Sequence, residues 1–121
     1  MLPLSKSIRK VAVIGPNAEE KKQLICRYGP ANAPIKTVFQ GIKEMLPDAE
    51  VVYRKGCDII DPHFPESEIL DFPKTEEESR LMDEAVAAAQ NAEVAIMVLG
   101  GNELTVMARR WLSSVLVLRD W

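Results

Sequence analysis

Cysteine is scarce in this 121-residue chain, histidine occurs once, and no apolar run approaches the roughly 20 residues of a membrane span. Each shortage excludes something. The two cysteines, Cys26 and Cys57, lie far apart without CxxC spacing, so both read as free, part-buried thiols rather than a disulfide framework. The lone His63 sits between Pro62 and Pro65 and reads as a loop residue. With one histidine and no ligand cluster, the sequence calls for no metal and no cofactor. Basic residues are in the minority: 15 Lys and Arg against 18 Asp and Glu give a net charge of −3. They occur singly or in pairs spread along the chain, without a basic cluster, which argues against a nucleic-acid partner. A membrane partner is not expected either. The opening MLPLSKSIRK shows no apolar stretch and no small-residue cleavage pattern, so no signal peptide is expected and the compartment stays open.

What is present suits one ordinary globular domain: 47% hydrophobic and 27% charged. A chain of this length can bury a core without disulfides. Residues 11–14 (VAVI), 50–54 (EVVYR) and 94–99 (VAIMVL) are short, β-branched runs, the first and last continuously apolar, as in strands buried on both faces. Residues 18–28 have room for a helical turn. Thr37 is placed to cap a helix running to about Leu46, where Pro47 stops it; Val38, Ile42, Met45 and Leu46 share its apolar face. Thr75 and Glu78 form a capping-box pattern that opens a second helix through about Ala92. Leu81, Met82, Ala85, Ala88, Ala89 and Ala92 make its apolar stripe, and the small alanines suit close packing on a sheet. Between strand and helix, residues 58–74 hold three prolines and read as a long loop.

Strands alternating with helices predict a layered α/β/α sandwich with a mainly parallel sheet. Ligands bind such sheets at the carboxyl ends of the strands. Those ends carry Gly15-Pro16-Asn17, Lys55-Gly56-Cys57-Asp58 and Gly100-Gly101-Asn102-Glu103, which should meet on one edge. A phosphate grip is not expected there: GPNAEE is neither GxGxxG nor GxxxxGK[ST], Pro16 removes a donor, and Glu19 and Glu20 repel anions. Glu103 is a candidate general acid; the competing reading is a solvated loop glutamate. Asp58, Lys55 and Asn102 are candidates for binding ligand hydroxyls, as is Asp61, against the plainer roles of turn capping and solvation.

The ordered segments KVAVIGPNA, TVFQGIKEMLPDAEVVYRKGCDI and DEAVAAAQNAEVAIMVLGGNE resemble the C-terminal α/β domain of glycoside hydrolase family 3, the β-glucosidases and β-xylosidases. The likeness covers about residues 2–106. It implies an interdomain-linker-like segment over 1–9, the α/β domain over 10–106 and a divergent tail over 107–121. In that tail, residues 113–118 (SSVLVL) look like an additional strand, and Trp111 and Trp121 are read as covering apolar surface, with stacking on sugar as the second reading. The resemblance further implies a retaining β-glycosidase in which a (β/α)8 barrel supplies an aspartate nucleophile and this domain lends the acid/base. Glu103 matches the NE of the family pattern, while the family's acid/base glutamate can fall a few residues later, where this chain diverges. A barrel takes roughly 250 residues, so the expectation is a chain that meets a β-linked glycoside only together with a barrel domain and is inactive alone. The alternatives are a stand-alone ligand- or protein-binding α/β module, and a vestigial domain that forms a homo-dimer through an exposed sheet edge.

Overall fold

A computed structural model describes residues 4–5, 7–22 and 34–101, and the backbone of residues 114–118. Among these residues the chain forms β1 (Lys10–Ile14), a 3-10 turn (Pro16–Ala18), α1 (Val38–Met45), β2 (Glu50–Arg54), a second 3-10 turn (Glu66–Glu68), α2 (Glu76–Gln90), β3 (Val94–Leu99) and β4 (Ser114–Leu118). The sheet order is β2-β1-β3-β4. β1 pairs in parallel with both β2 and β3, in the register Val11 opposite Val51 and Val94. β4 adds an antiparallel edge to β3. The expected helical turn over residues 18–28 is described only to Lys22, and Cys26, Asn102, Glu103, Trp111 and Trp121 lie outside the described residues.

This order follows from connection handedness. β1 crosses to β2 through α1, and β2 returns past β1 to β3 through α2. Right-handed crossovers in opposite directions put the two helices on opposite faces. Period-two alternation then sorts the side chains. On one face Val11, Val13, Val94, Ile96 and Val98 pack with Val38, Phe39 and Ile42 of α1 and with Val51 and Tyr53. On the other, Ala12, Ile14 and Ala95 meet Ala85 and Ala89 of α2. The second face is lined mostly by alanine, which lets α2 approach the sheet closely. Val11, Ala12, Val13 and Ala95 have no exposed surface at all, so the core sits on the central strand pair. Three layers result, with all three parallel strands ending on one edge.

Both helices open on reciprocal caps. Thr75 Oγ1 accepts the Glu78 backbone N–H at 3.2 Å, and Glu78 Oε2 accepts the Thr75 N–H at 2.7 Å. Thr37 and Gln40 repeat the arrangement at 3.2 Å in each direction. α2 stops two residues short of the expected Ala92 because the Asn91 side chain turns back to donate to the Ala87 carbonyl at 2.7 Å, closing the helix.

Candidate functional site

The carboxyl edge is built around Gly15. Its φ is 129°, outside the range other residues adopt readily, and a Cβ there would fall 2.1 Å from the Val98 carbonyl oxygen. The chain leaves β1 pressed against β3. Its amide still donates to the Arg54 carbonyl at 3.0 Å, which extends the β1–β2 ladder by one rung. The 3-10 turn that follows carries Asn17, whose Nδ2 donates to the Gly100 carbonyl at 3.0 Å. The ends of β1 and β3 are therefore tied by a side chain as well as by the sheet. The other end of that amide, Asn17 Oδ1, is buried and accepts no hydrogen bond from the described residues.

On the β2 side the edge opens into a cleft of about 330 Å³, lined by Pro16, Glu20, Lys55, Asp58, Ile59 and Ile60. Lys55 and Asp58 form an ion pair across the turn. The hydrogen bond to Asp58 holds the Lys55 ammonium above its ordinary range, against the opposing effect of burial. Both side chains are more than 40% exposed, so the pair contributes little to stability and stays free to exchange partners. Gly56, at φ 75°, turns the chain between them, close to Ile14 and Ala85. Burial raises the Cys57 thiol above its usual value; Asp58 adds to this and Lys55 opposes it. Burial and, after it, the charge of Glu19 raise the Tyr53 phenol. Glu19 also accepts a 3.4 Å bond from the hydroxyl of Thr37, the one buried polar residue among those described. The cleft thus presents an ammonium, two carboxylates and two isoleucines. That set can donate to and accept from neutral hydroxyls while covering an apolar ring face, and it is poorly suited to an anion.

The candidates named from sequence divide accordingly. Lys55 and Asp58 come together in the cleft, and Gly15-Pro16-Asn17 shares its edge with Gly100-Gly101. Asn102 and Glu103 fall outside the described residues. Asp61 works as a turn cap: its Oδ1 accepts the His63 amide at 2.7 Å. His63 stacks on Phe72, with centroids 4.4 Å apart and planes 6° from parallel, and does not line the cleft. Of the other lining residues, Glu20 was named only as an acid that repels anions, and Ile59 and Ile60 were not named as candidates. The adjacent isoleucines flanked by Asp58 and Asp61 were the available signal. Among the described residues no group of three or more His, Cys, Asp or Glu is placed to hold a metal ion, and no helix is long and apolar enough to cross a membrane.

A parallel sheet in the order 2-1-3, covered by a helix on each face and carrying its polar cluster on the carboxyl edge, defines a doubly wound α/β domain. Within that class the sequence matches the glycosyl hydrolase family 3 C-terminal domain over residues 1–110, and the chain belongs to this family. It is 33% identical over 115 residues to a periplasmic β-glucosidase of Salmonella typhimurium, covering 84% of this chain and 14% of that protein. It is 32% identical over 113 residues to a β-xylosidase of Formosa agariphila, covering 87% of this chain and 14% of the relative. A solved β-glucosidase of Erythrobacter marinus superposes with a TM-score of 0.56 at 32% identity, over 84% of this chain and 15% of the other. The chain therefore spans about one seventh of the length of the proteins it matches.

Proposed function

We propose that these residues act as the second domain of a retaining β-glycosidase, with the carboxyl edge of the sheet turned toward a barrel domain that carries the nucleophile. The observation that supports this best is the cleft at the strand ends. It groups Lys55 and Asp58 beside the turn after β1, on the edge where β3 ends in Gly100-Gly101. Retaining hydrolysis needs two carboxyl groups: one attacks the anomeric carbon, the other protonates the leaving oxygen and then activates water. Glu103, two residues past Gly101, is the proposed acid/base. Lys55, Asp58 and Asn102 are proposed to meet sugar hydroxyls. No barrel is contained in these 121 residues, so the chain by itself is proposed to be inactive.

Complementation tests this reading. The chain is mixed with a purified barrel domain of a family 3 β-glucosidase or β-xylosidase that lacks its own second domain. Hydrolysis of nitrophenyl β-glucoside or β-xyloside should appear in the mixture and fall by about 10²-fold or more with Glu103→Gln. A mixture that hydrolyses equally well with Glu103→Gln would remove Glu103 from the proposal.

One observation favours a second reading. Among the described residues β2 has a strand neighbour on one side only, so its outer edge offers unpaired backbone groups to a second copy. The chain would then self-associate through Glu50–Arg54, which sedimentation at several concentrations detects.

A further inference from the structure

The strand order 2-1-3 has a consequence at the β1–β3 boundary. In doubly wound sheets of this order a crevice opens there, beyond the strand ends, and ligands commonly occupy it. Here the Asn17 side chain spans the boundary instead. Its Nδ2 donates to the Gly100 carbonyl at 3.0 Å, a contact between residues 83 apart in sequence. The orientation of the amide is fixed by chemistry: a carbonyl only accepts, so the end that faces Gly100 must be the NH2. The cleft of about 330 Å³ lies to the β2 side, lined by Pro16, Lys55 and Asp58 and not by Asn17 or Gly100.

We infer that Asn17 is a positioning residue, which anchors the carboxyl end of β3 to the turn after β1 and so sets the direction in which the chain leaves the sheet at Gly100-Gly101. Two observations carry this. The first is the need for an anchor: Gly100 has φ 149° and Gly101 is also a glycine, so the backbone has few side-chain constraints of its own where it leaves the strand. The second is that Asn17 is a poor choice for stability alone. Its Oδ1 is buried with no donor among the described residues, and an orphaned buried acceptor costs free energy that a small apolar residue would avoid. A group kept in that state is better explained by what its other end holds. The Val98 carbonyl, close under Gly15, leaves the turn little freedom to shift, so Asn17 is itself held rigidly. The importance of this anchor for catalysis rests on the proposed role of Glu103, which follows Gly101 by two residues, but the anchor itself does not.

Backbone ¹⁵N relaxation on the full chain and on Asn17→Ala tests the inference without any glycoside. Failure of the hydrolase reading therefore leaves the result interpretable. In the unaltered chain, order parameters at Gly100 and Gly101 should lie near the rigid value of about 0.85 and fall toward about 0.6 or below in Asn17→Ala. Amides of β1 and β3 should keep their values and their exchange protection, and the midpoint of thermal unfolding should stay within about 3 °C. Unchanged order parameters at the two glycines would overturn the inference. So would an equal loosening of the β1 and β3 amides, which would make Asn17 a residue of the core rather than a positioning one. Should Asn17→Ala fail to fold, exchange of the Asn17 side-chain amide protons in the unaltered chain decides. Slow exchange supports the anchor, and exchange at the rate of a free asparagine contradicts it.

Discussion

A methyl group on Gly15 would place a carbon 2.1 Å from the Val98 oxygen, at a φ of 129° that alanine resists. Gly15→Ala is expected to lower stability by at least ~2 kcal/mol in urea unfolding, because neither backbone can yield without breaking the β1–β3 ladder. A loss under about 0.5 kcal/mol, the size of a surface change, would contradict the close approach. From sequence, Gly15 was visible only as a turn glycine; the reason for it lies on a strand more than 80 residues away, which no local pattern reports. Cys57 gives a second test at this scale. Burial holds its thiol above the ordinary value of 9.0. In a Cys26→Ser background, alkylation by iodoacetamide should therefore rise at higher pH for the folded chain than for the urea-unfolded one. The linkage has a definite sign. A raised folded-state value contributes stability that is fully present below the unfolded value and is lost as pH rises through the folded one. Stability should accordingly decline from about pH 9 upward, and Tyr53, raised for the same main reason, should extend the decline. A pH-independent unfolding midpoint across that range would contradict both shifts.

Single elements were the most legible part of the sequence. Thr75-Glu76-Glu77-Glu78 announced a capping box, and the box is present with both of its hydrogen bonds. Removing the hydroxyl by Thr75→Ala should cost about 1 kcal/mol and lower α2 first, seen as faster amide exchange in its opening turn. On the exposed side of α2, Arg80 bonds Glu77 at 2.9 and 2.6 Å and also pairs with Glu84. Pairs spaced three and four residues apart on an exposed face contribute little to stability, so Arg80→Ala should be mild. The alanine stripe predicts more. Ala85 is buried against Ala12, Ile14 and Ala95, and its Cβ would lie 3.4 Å from a Cβ on Gly56. Ala85→Leu should therefore cost about 1–3 kcal/mol by overpacking and push α2 off the sheet, with loss of protection in β1 and β3. Boundaries were less legible than existence. β1 begins one residue earlier than the apolar run, at Lys10, because pairing with Glu50 extends the ladder through charged residues that hydropathy ignores.

For the whole molecule, the parallel sheet and the meeting of three strand ends on one edge could be reasoned from the alternation of strands and helices, since handedness leaves few other arrangements. The interior of the site could not. Which loop residues line a cleft depends on how a proline-punctuated segment folds back. Ile59 and Ile60 reach it while His63 turns away to stack on Phe72, and nothing in the spacing of DIIDPHF separates those outcomes. Membership of glycosyl hydrolase family 3 assigns the domain, and under the proposed function catalysis is a property of two domains rather than of this one. The measurement that bears on this most directly is hydrolysis of nitrophenyl β-glucoside and β-xyloside by the purified chain at high concentration, beside Glu103→Ala. Neither protein should show turnover above the buffer rate. Turnover by the chain that disappears in Glu103→Ala would contradict the proposed function, because a second carboxylate sufficient for the chemistry would then have to lie within these 121 residues.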